Sequence, residues 1–416
     1  MIDKPTCSCL PIASDDLGTA FAALRVTDLR TEYEYAVIGL GGIGSAAAYW
    51  LSRYEGRQVL GLEQFEIGHS RGESQDHSRI IRLSYHTPQY VELAKHAYKT
   101  WAVLEREARR NLIVKTGGLD LAPEDAEIPL SDYSNSMKRA KVPFESLDGV
   151  DIMRRWPQWH LPRNVHGLYQ RQSGIAPAAK CNAAHIHMAR KHGAVLLEKT
   201  PVKSVRANDK QIEVVAKGTT YRCRKLVITA GPWSNSMLGH LGYNLPLTIT
   251  QEQVTYFKPN NPRSYLPTRF PVWIWIDEPC FYGFPIYGQN GVKVGQDVGG
   301  REVTAETRTF KTDTAALRRV KAFLRKYLPS AADQVIYVKS CLYTLTPDRD
   351  FVIDTVPGFP NISVAIGAGH GFKFASLIGK ILSELAIYGK SRYDIRAFRI
   401  DRSILMEKHP KRHFMV

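Results

Sequence analysis

The sequence has few cysteines, and those present form no recognisable pattern. Six cysteines occur in 416 residues, and their spacing gives neither a disulfide framework nor a paired zinc motif. We therefore expect no structural metal, and the pattern favours a reducing or neutral compartment. Cys7 and Cys9 could chelate a metal ion, but we interpret them as part of an N-terminal tail that spans residues 1–32.

The chain also lacks targeting signals and membrane segments. No run reaches the ~18 apolar residues that a membrane-spanning helix needs. The first thirty residues have neither the positive start nor the long apolar core of a signal peptide. The last three residues are not the Ser-Lys-Leu peroxisomal address. We expect a cytoplasmic protein with no membrane partner, or a peroxisomal one in a eukaryote.

Acidic residues are outnumbered by basic ones, and the formal net charge is +16. The basic residues are spread along the chain, and we find no nucleic-acid-binding motif among them. We therefore expect no nucleic-acid partner and interpret the charge as a basic surface that aids solubility. A non-catalytic basic protein that binds an anionic partner remains an alternative.

A glycine-rich motif follows the first apolar strand. Residues 36–38 predict a buried parallel strand, and a small-residue helix and a second strand at residues 58–62 follow. The glycines permit a tight turn, close approach of a pyrophosphate and close packing of helix on strand, while Glu63 can accept hydrogen bonds from a ribose. This arrangement predicts a dinucleotide site without deciding between NAD and FAD. The GxGxxG glycines are Gly39, Gly41 and Gly44.

Periodicity predicts strands and helices through the rest of the chain. Residues 90–109 and 312–328 carry apolar stripes at helical spacing. A strand at residues 362–366 leads through a glycine-rich loop to a helix at residues 374–388. The polar stretch at residues 68–87 predicts a loop, in which a helical turn would bring Arg79 and Arg82 onto one face.

Six stretches resemble, in order, the monomeric sarcosine oxidase family and its relatives that oxidise N-methyltryptophan and pipecolate. They are VIGLGGIGSAAAYWL, HSRIIR, LVITAGPW, YGFPIYGQNGVKVG, SCLYTLTPDRDFVID and GHGFKFAS. The resemblance covers about residues 33–402. It implies an α/β fold in which a Rossmann-like FAD-binding domain is interleaved with a mixed-sheet substrate domain.

The implied domain boundaries are discontinuous along the chain. The FAD-binding domain comprises residues 33–119, 174–243 and 343–402, and the substrate domain comprises residues 120–173 and 244–342. Residues 403–416 form a C-terminal tail. The implied activity oxidises the C–N bond of a secondary or cyclic amino acid to an imine, with O2 reduced to hydrogen peroxide. We expect a monomer whose partners are the amino acid and O2.

The resemblance also implies covalent FAD. The family motif CxYTxTPDxxFxID matches residues 341–354, and its cysteine, here Cys341, bonds to the 8-methyl group of the flavin. A thiolate is a nucleophile suited to that bond, although judged alone Cys341 would be interpreted as a buried core cysteine. The further implied cofactor-binding positions are Gly39, Gly41, Ile43, Gly44, Glu63, Gln64, Ser70, Ser78, Arg79, Val202, Gly231, Trp233, Gly369, His370, Gly371, Phe372 and Lys373.

Matched positions imply how the substrate is held. Arg82 and Lys373 match the cations that bind the substrate carboxylate, where an arginine supplies a planar fork and a lysine a point charge. Arg79 matches an arginine packed near the flavin ring. Tyr282 and Tyr343 match tyrosines that line the cavity. Outside these motifs, each cation would be interpreted as a solvated surface charge.

Lys293 and Asp297, which are four residues apart, bear on the oxidation chemistry that the resemblance implies. Lys293 matches the family lysine that promotes reaction with O2, because a fixed cation stabilises charge developing on oxygen; a dehydrogenase of the same fold is the alternative. Asp297 stands where the sarcosine and N-methyltryptophan oxidases of the family have a histidine near the substrate amine. A carboxylate there favours a protonated amine, whereas oxidation needs the lone pair. Asp297 therefore accepts a proton, binds another group or turns away, and we infer a substrate other than sarcosine.

Overall fold

The computed structural model of the protein describes residues 30–208 and 210–413. Most of the predicted N-terminal tail, with Cys7 and Cys9, lies outside the described residues. The described strands are β1 (Tyr35–Ile38), β2 (Val59–Leu62), β3 (Arg79–Ile81), β4 (Val114–Lys115), β5 (Gly118–Pro123), β6 (Glu145–Asp148), β7 (Val165–Gln170), β8 (Gly174–Ala176), β9 (Val195–Leu197), β10 (Val202–Ala207), β11 (Ile212–Ala216), β12 (Thr219–Cys223), β13 (Lys225–Ile228), β14 (Thr248–Lys258), β15 (Val272–Trp275), β16 (Phe281–Phe284), β17 (Val292–Gln296), β18 (Arg301–Glu302), β19 (Gln334–Leu345), β20 (Val352–Val356) and β21 (Phe359–Ile366). The described α-helices are α1 (Gly42–Glu55), α2 (Pro88–Ala108), α3 (Leu130–Arg139), α4 (Gly149–Arg155), α5 (Ala178–Lys191), α6 (Ser234–Gly239), α7 (Thr314–Tyr327), α8 (Ala375–Tyr388) and α9 (Ser403–Met406).

The first layer is a six-stranded sheet in the order β20-β21-β13-β1-β2-β9. Its strands pair in parallel except β20, which runs antiparallel to β21. Strand β1 is buried along its whole length, as expected for a parallel strand covered on both faces, and α1 packs against α5 and α8. This confirms the predicted Rossmann-like unit, with the glycine motif at the carboxyl end of β1.

The second layer is a mixed nine-stranded sheet. Its order is β18-β14-β17-β16-β15-β5-β7-β6, with β19 also paired to β14. Neighbours are antiparallel except β15 and β5. An aromatic core covers it, in which the Phe323 ring of α7 stacks on Trp273 of β15 at 5.5 Å between centroids. The chain enters this sheet at β5 and leaves it after β19, close to the implied boundaries, which stay a prediction.

The stretch at residues 68–87 is not all loop. Strand β3 forms within it and pairs antiparallel with β8, so the helical turn considered for Arg79 and Arg82 is wrong. The β-branched pair Ile80 and Ile81 explains the difference, because both side chains are buried and such residues favour a pleated strand.

The predicted helices are confirmed with small shifts at their ends. Helix α2 buries its apolar stripe, and α7 begins after Asp313, whose carboxylate accepts hydrogen bonds from the backbone N–H groups of Ala315 and Ala316. In the described part of the chain, no helix is long and apolar enough to cross a membrane. Among the same residues, no group of three or more His, Cys, Asp or Glu side chains could hold a metal ion.

Candidate active site

A large cavity opens at the carboxyl end of β1. Its volume is about 770 Å³, within the usual range of small-molecule sites. It is lined by residues from the glycine motif, from the end of β2 and from the turn after β13, as the dinucleotide prediction requires. The predicted cofactor positions that line it are Gly39, Gly41, Ile43, Glu63, Gln64, Val202, Gly231 and Trp233.

The glycines fit a dinucleotide cradle. Gly39 has φ of +85°, and a Cβ on it would lie 2.6 Å from the carbonyl oxygen of Thr229. A Cβ on Gly44 would lie only 1.8 Å from the carbonyl oxygen of Gly39, so this residue lets α1 approach the turn. At the start of α1, the Gly42 N–H donates to Ser74 Oγ at 2.9 Å. Ser74 is a cavity residue that the sequence analysis missed.

Glu63 lies at the edge of this cavity, after β2. Its Oε2 accepts from the Leu40 N–H at 2.9 Å, and its Oε1 accepts from the Phe65 N–H at 3.1 Å. Burial opposes its charge, but His69 and these two N–H groups together hold its pKa below the ordinary value. Glu63 therefore offers an ionised acceptor suited to ribose hydroxyls.

The two serines among the predicted cofactor positions lie elsewhere. Ser70 is exposed, and Ser78 is buried behind the cavities, where its carbonyl oxygen and Oγ accept hydrogen bonds from Lys293. Neither serine lines the large cavity or its smaller neighbour. Their cofactor roles stay predictions.

A second cavity of about 140 Å³ adjoins the first, and the two share lining residues such as Ile43 and Gly367. Most of the predicted substrate and flavin positions meet here. They are Arg79, Arg82, Tyr282, Asp297, Tyr343, Gly369, His370, Gly371, Phe372 and Lys373. The structure also places titratable lining side chains here that the sequence analysis did not select, namely Glu73, Tyr133, Cys280 and Arg349.

Strand alternation explains how β16 and β17 contribute to the cavity. Tyr282 and Phe284 are two residues apart on β16, and Cys280 directly precedes the strand at the same spacing, so the three side chains share the face that lines the cavity. Gly295 of β17 pairs with Tyr282, and a Cβ on it would lie 2.8 Å from the tyrosine oxygen. The glycine leaves space for the phenol, and Asp297 follows on the same side.

Arg82 is held by a buried ion pair. Its Nη1 lies 3.2 Å from Asp120 Oδ1, and each side chain is 7% exposed. The guanidinium also lies over the Tyr85 ring, 4.6 Å from its centroid. Burial opposes the charge of Arg82, but Asp120 and the neighbouring Tyr85 act together with other nearby groups to raise the arginine pKa. Arg82 is therefore a permanent, positioned cation.

Lys373 is the second cation of this cavity, in the short turn before α8. Its backbone carbonyl accepts from Trp101 Nε1 at 2.8 Å, which fixes the turn. Burial and then the nearby Arg82 lower the pKa of the lysine to about 7. Lys373 therefore titrates near neutral pH, whereas Arg82 does not.

Asp297 faces the cavity and does not turn away. Its Oδ2 lies 3.2 Å from Nη2 of Arg349, so it binds another group, one of the alternatives left open by the sequence. Arg349 occupies a variable position of the CxYTxTPDxxFxID motif, which is why the motif gave no reason to select it.

Lys293 is buried beside the cavities and lines neither of them. Its Nζ lies 2.6 Å from Asp76 Oδ2 and donates to the Ser78 carbonyl at 2.8 Å. Burial lowers the pKa of Lys293 to about 8, although Asp76 opposes this. Arg79 Nη1 lies 3.7 Å from the same carboxylate oxygen, so two cations share Asp76. The proposed contact of Lys293 with O2 stays a prediction.

Cys341 is a buried thiol on β19 and also lies outside both cavity linings. Burial raises the pKa of this thiol to about 11, and the nearby Arg79 and Lys293 act in the opposite direction. The two cations would favour the thiolate if the cysteine became more accessible. Its covalent role stays a prediction.

Fold and site together define a dinucleotide-dependent oxidoreductase with a cationic cavity beside its cofactor site. A profile of the family described as FAD dependent oxidoreductase matches residues 34–385. The chain belongs to this family of oxidoreductases, which decides the dinucleotide in favour of FAD.

Several relatives cover nearly the whole chain. The monomeric sarcosine oxidase of Arthrobacter sp. is 30% identical over 385 residues, which are 91% of this chain and 99% of the relative. The peroxisomal sarcosine oxidase of Homo sapiens is 33% identical over 377 residues, 89% of this chain and 96% of the relative. The solved structure of NikD, an unusual amino acid oxidase essential for nikkomycin biosynthesis, has a TM-score of 0.81 at 26% identity and covers 91% of this chain and 100% of its own.

Proposed function

We propose that the protein is an FAD-dependent amine oxidase that converts the C–N bond of a secondary or cyclic amino acid to an imine and reduces O2 to hydrogen peroxide. The observation that carries the proposal is the meeting of Arg82 and Lys373 in a cavity that adjoins the dinucleotide site. Relatives named as sarcosine oxidases support the reaction class and favour an oxidase over a dehydrogenase.

The protein's own residues bind and orient the substrate. Arg82 and Lys373 bind its carboxylate, which fixes the C–H bond beside the nitrogen in one direction. Tyr282 and Tyr343 form an apolar wall with polar ends that excludes water. Bound FAD would supply a two-electron acceptor for the substrate C–H bond, and the two electrons and two protons lost in forming the imine would convert O2 to hydrogen peroxide. Asp297 lies where it can accept a hydrogen bond from the substrate amine.

The proposed function is tested with purified enzyme and a small amino acid panel. Sarcosine, proline and pipecolate are supplied in air, and hydrogen peroxide is measured by a coupled peroxidase. We expect peroxide in equal amount to the imine-derived product with at least one secondary amine. Turnover that requires an added dye or quinone, with no peroxide, would instead favour the dehydrogenase alternative.

Cys341 is proposed to hold FAD through a thioether at the flavin 8-methyl group. We expect acid-precipitated wild-type protein to keep its yellow colour in the pellet, and Cys341→Ser protein to release it to the supernatant. Cys280→Ser is the matched control, because Cys280 is a partly buried thiol that lines the smaller cavity. Colour released from the wild type, or retained by Cys341→Ser, would contradict the covalent bond but not the binding of FAD.

Lys373 is expected to make carboxylate binding pH-dependent. Its pKa in the folded protein, about 7, lies below the ordinary lysine value, so its charge is present below pH 7 and lost as the pH rises through that value. A neutral amine donates a weaker hydrogen bond, and we expect affinity for isobutyrate to fall about fivefold across this step. Calorimetric titration measures it. Lys373→Met should remove the step, and a step that persists in this variant would refute the assignment.

The remaining expectations concern the setting of the enzyme. We propose that it acts as a monomer, as the name of the Arthrobacter relative suggests, with an amino acid and O2 as its partners. A cytoplasmic or peroxisomal location and the absence of a nucleic-acid partner stay predictions. The predicted boundaries of the two domains are part of the same proposal.

A further inference from the structure

The mechanism above uses Asp297 but gives no role to the ion pair that this residue forms in the smaller cavity. It joins Asp297 and Arg349, whose side chains are 22% and 1% exposed. The carboxylate is thus the more accessible partner, and the guanidinium lies behind it. A buried guanidinium must be paired, because an isolated charge in this setting is strongly unfavourable.

The backbone holds Arg349 in an unusual conformation. Its φ is +62°, a region that few residues other than glycine adopt. Its N–H donates to the Thr346 carbonyl at 3.2 Å, and its own carbonyl oxygen lies 2.8 Å from His370 Nε2. Strained residues persist where the surroundings fix them, often at functional sites. The turn is therefore tied directly to the GHGFK loop, beside Lys373.

The charges around the cavity show what this pair changes. Among the described lining residues, the carboxyl groups are Glu73 and Asp297. Glu73 also lines the dinucleotide cavity, and burial raises its pKa to about 7. Of these two residues, Asp297 is therefore the one that lines the smaller cavity and not the larger one. Without a counter-charge it would favour the ammonium form of a nearby amine, and an ammonium has no lone pair for the oxidation.

We propose that Arg349 is a positioning residue that acts through Asp297. By pairing with the carboxylate it cancels much of the negative field at the amine, so that the enzyme binds its amino acid with the amine neutral. The proton leaves to solvent on binding, and one oxygen of Asp297 can still accept a hydrogen bond from the N–H. This inference rests on the proposed function and assigns Arg349 as a determinant of the substrate's protonation state.

Other groups also influence Asp297, and they come from several elements. Arg349 is the one in direct ion-pair contact among those described. The charged and titratable groups within electrostatic range of Asp297 are Glu252 of β14, Glu278 and Cys280 of the loop before β16, Tyr282 of β16, Tyr343 of β19, Arg349 of the turn after β19 and Lys373 of the turn before α8.

The test measures ligand binding to the FAD-loaded enzyme and requires no turnover. The probe is 2-aminoisobutyrate, whose carbon next to nitrogen carries no hydrogen to be oxidised. Isobutyrate is the matched probe that lacks only the amine. Dissociation constants are measured by calorimetry between about pH 6 and 9. Because Arg82 and Lys373 contribute to both probes, the ratio of the two constants isolates the amine.

In the wild type, the preference for 2-aminoisobutyrate over isobutyrate should grow with pH by up to about tenfold per unit, since the ammonium must lose a proton. Arg349→Met leaves the charge of Asp297 uncancelled, so this variant should accept the ammonium and show a nearly flat ratio. The double variant Arg349→Met, Asp297→Asn carries neither charge and should regain the wild-type slope. Arg349→Lys keeps a cation and should retain the slope.

A loosened turn alone should not give this pattern. Arg402→Met is the control, because Arg402 Nε lies 2.7 Å from Oδ2 of Asp348, the residue before Arg349, and both residues of that pair lie outside the cavity lining. Its slope should match the wild type. An unchanged slope in Arg349→Met, or a double variant that stays flat, overturns the proposal. If neither probe binds wild-type enzyme, the amino acid site of the proposed function fails, and this inference fails with it.

Discussion

Replacing Arg82 with Met is expected to raise KM for the amino acid by roughly 30-fold to 4,000-fold. Removing one partner of a buried, hydrogen-bonded charge pair typically costs about 2–5 kcal/mol in binding, and each 1.4 kcal/mol is tenfold. Arg82 remains charged at every working pH, whereas Lys373 loses its charge near neutral pH. The arginine should therefore carry most of the carboxylate binding above pH 7. Steady-state kinetics by peroxide release measures the change.

This substitution also affects folding, and the two effects must be separated. Asp120 Oδ1 lies 3.2 Å from the guanidinium and is equally buried, so Arg82→Met leaves a buried carboxylate unpaired at a cost of about 3–5 kcal/mol. Adding Asp120→Asn removes that charge while keeping the side-chain shape. We expect the double variant to recover most of the lost free energy of unfolding, while its KM stays as high as that of Arg82→Met. Recovery of KM as well would mean that Arg82 only supports the fold.

The fold was predictable where the pattern is local. The apolar strand, the three glycines and the acidic residue after β2 lie within about thirty residues, and each has a requirement that only certain residue types meet. Gly44 is an example, because a Cβ at this position would clash with the Gly39 carbonyl and only glycine avoids the clash. Helices with a clear apolar stripe were predicted for the same reason.

The partners of the site residues were not predictable in this way. Arg82 pairs with Asp120 across 38 positions, and Lys293 pairs with Asp76 across more than 200. Such pairs form only when β3, β5 and β17 converge, and periodicity carries no information about that convergence. Motif matching selected cations that the structure places in or beside the smaller cavity, but it could not supply the carboxylates that pair with them.

Arg349 shows the limit most clearly. It occupies a motif position at which the family pattern allows any residue, so its identity carried no signal. The need for a counter-charge was nevertheless apparent from the sequence, because a carboxylate at position 297 beside an amine requires a compensating group. A search for an unassigned cation near the motif residues would have produced Arg349 as a candidate, although its distance from Asp297 required the structure.

Replacing Lys293 with Met is expected to slow the reaction of the reduced enzyme with O2 by about 10²-fold to 10³-fold, the usual effect of removing one positioned electrostatic group. Reduction of the enzyme by its substrate should change far less, because Lys293 lies outside the lining of the substrate cavity. Rapid-mixing absorbance measurements follow the two half-reactions separately. Equal slowing of both would contradict the assignment of Lys293 to the oxygen reaction.

The ion pair with Asp76 provides a second, independent prediction of the same role. Burial lowers the pKa of Lys293 to about 8, and Asp76 limits that decrease. In the wild type, the oxygen reaction should therefore slow as the pH rises through about 8, where the lysine loses its charge. Asp76→Asn removes the carboxylate 2.6 Å from Nζ, so the lysine pKa should fall and the same loss should occur at lower pH. A pH midpoint that does not move in Asp76→Asn would show that the cation acting on oxygen is not Lys293. Arg79, the other cation beside Asp76, would then be the residue to replace.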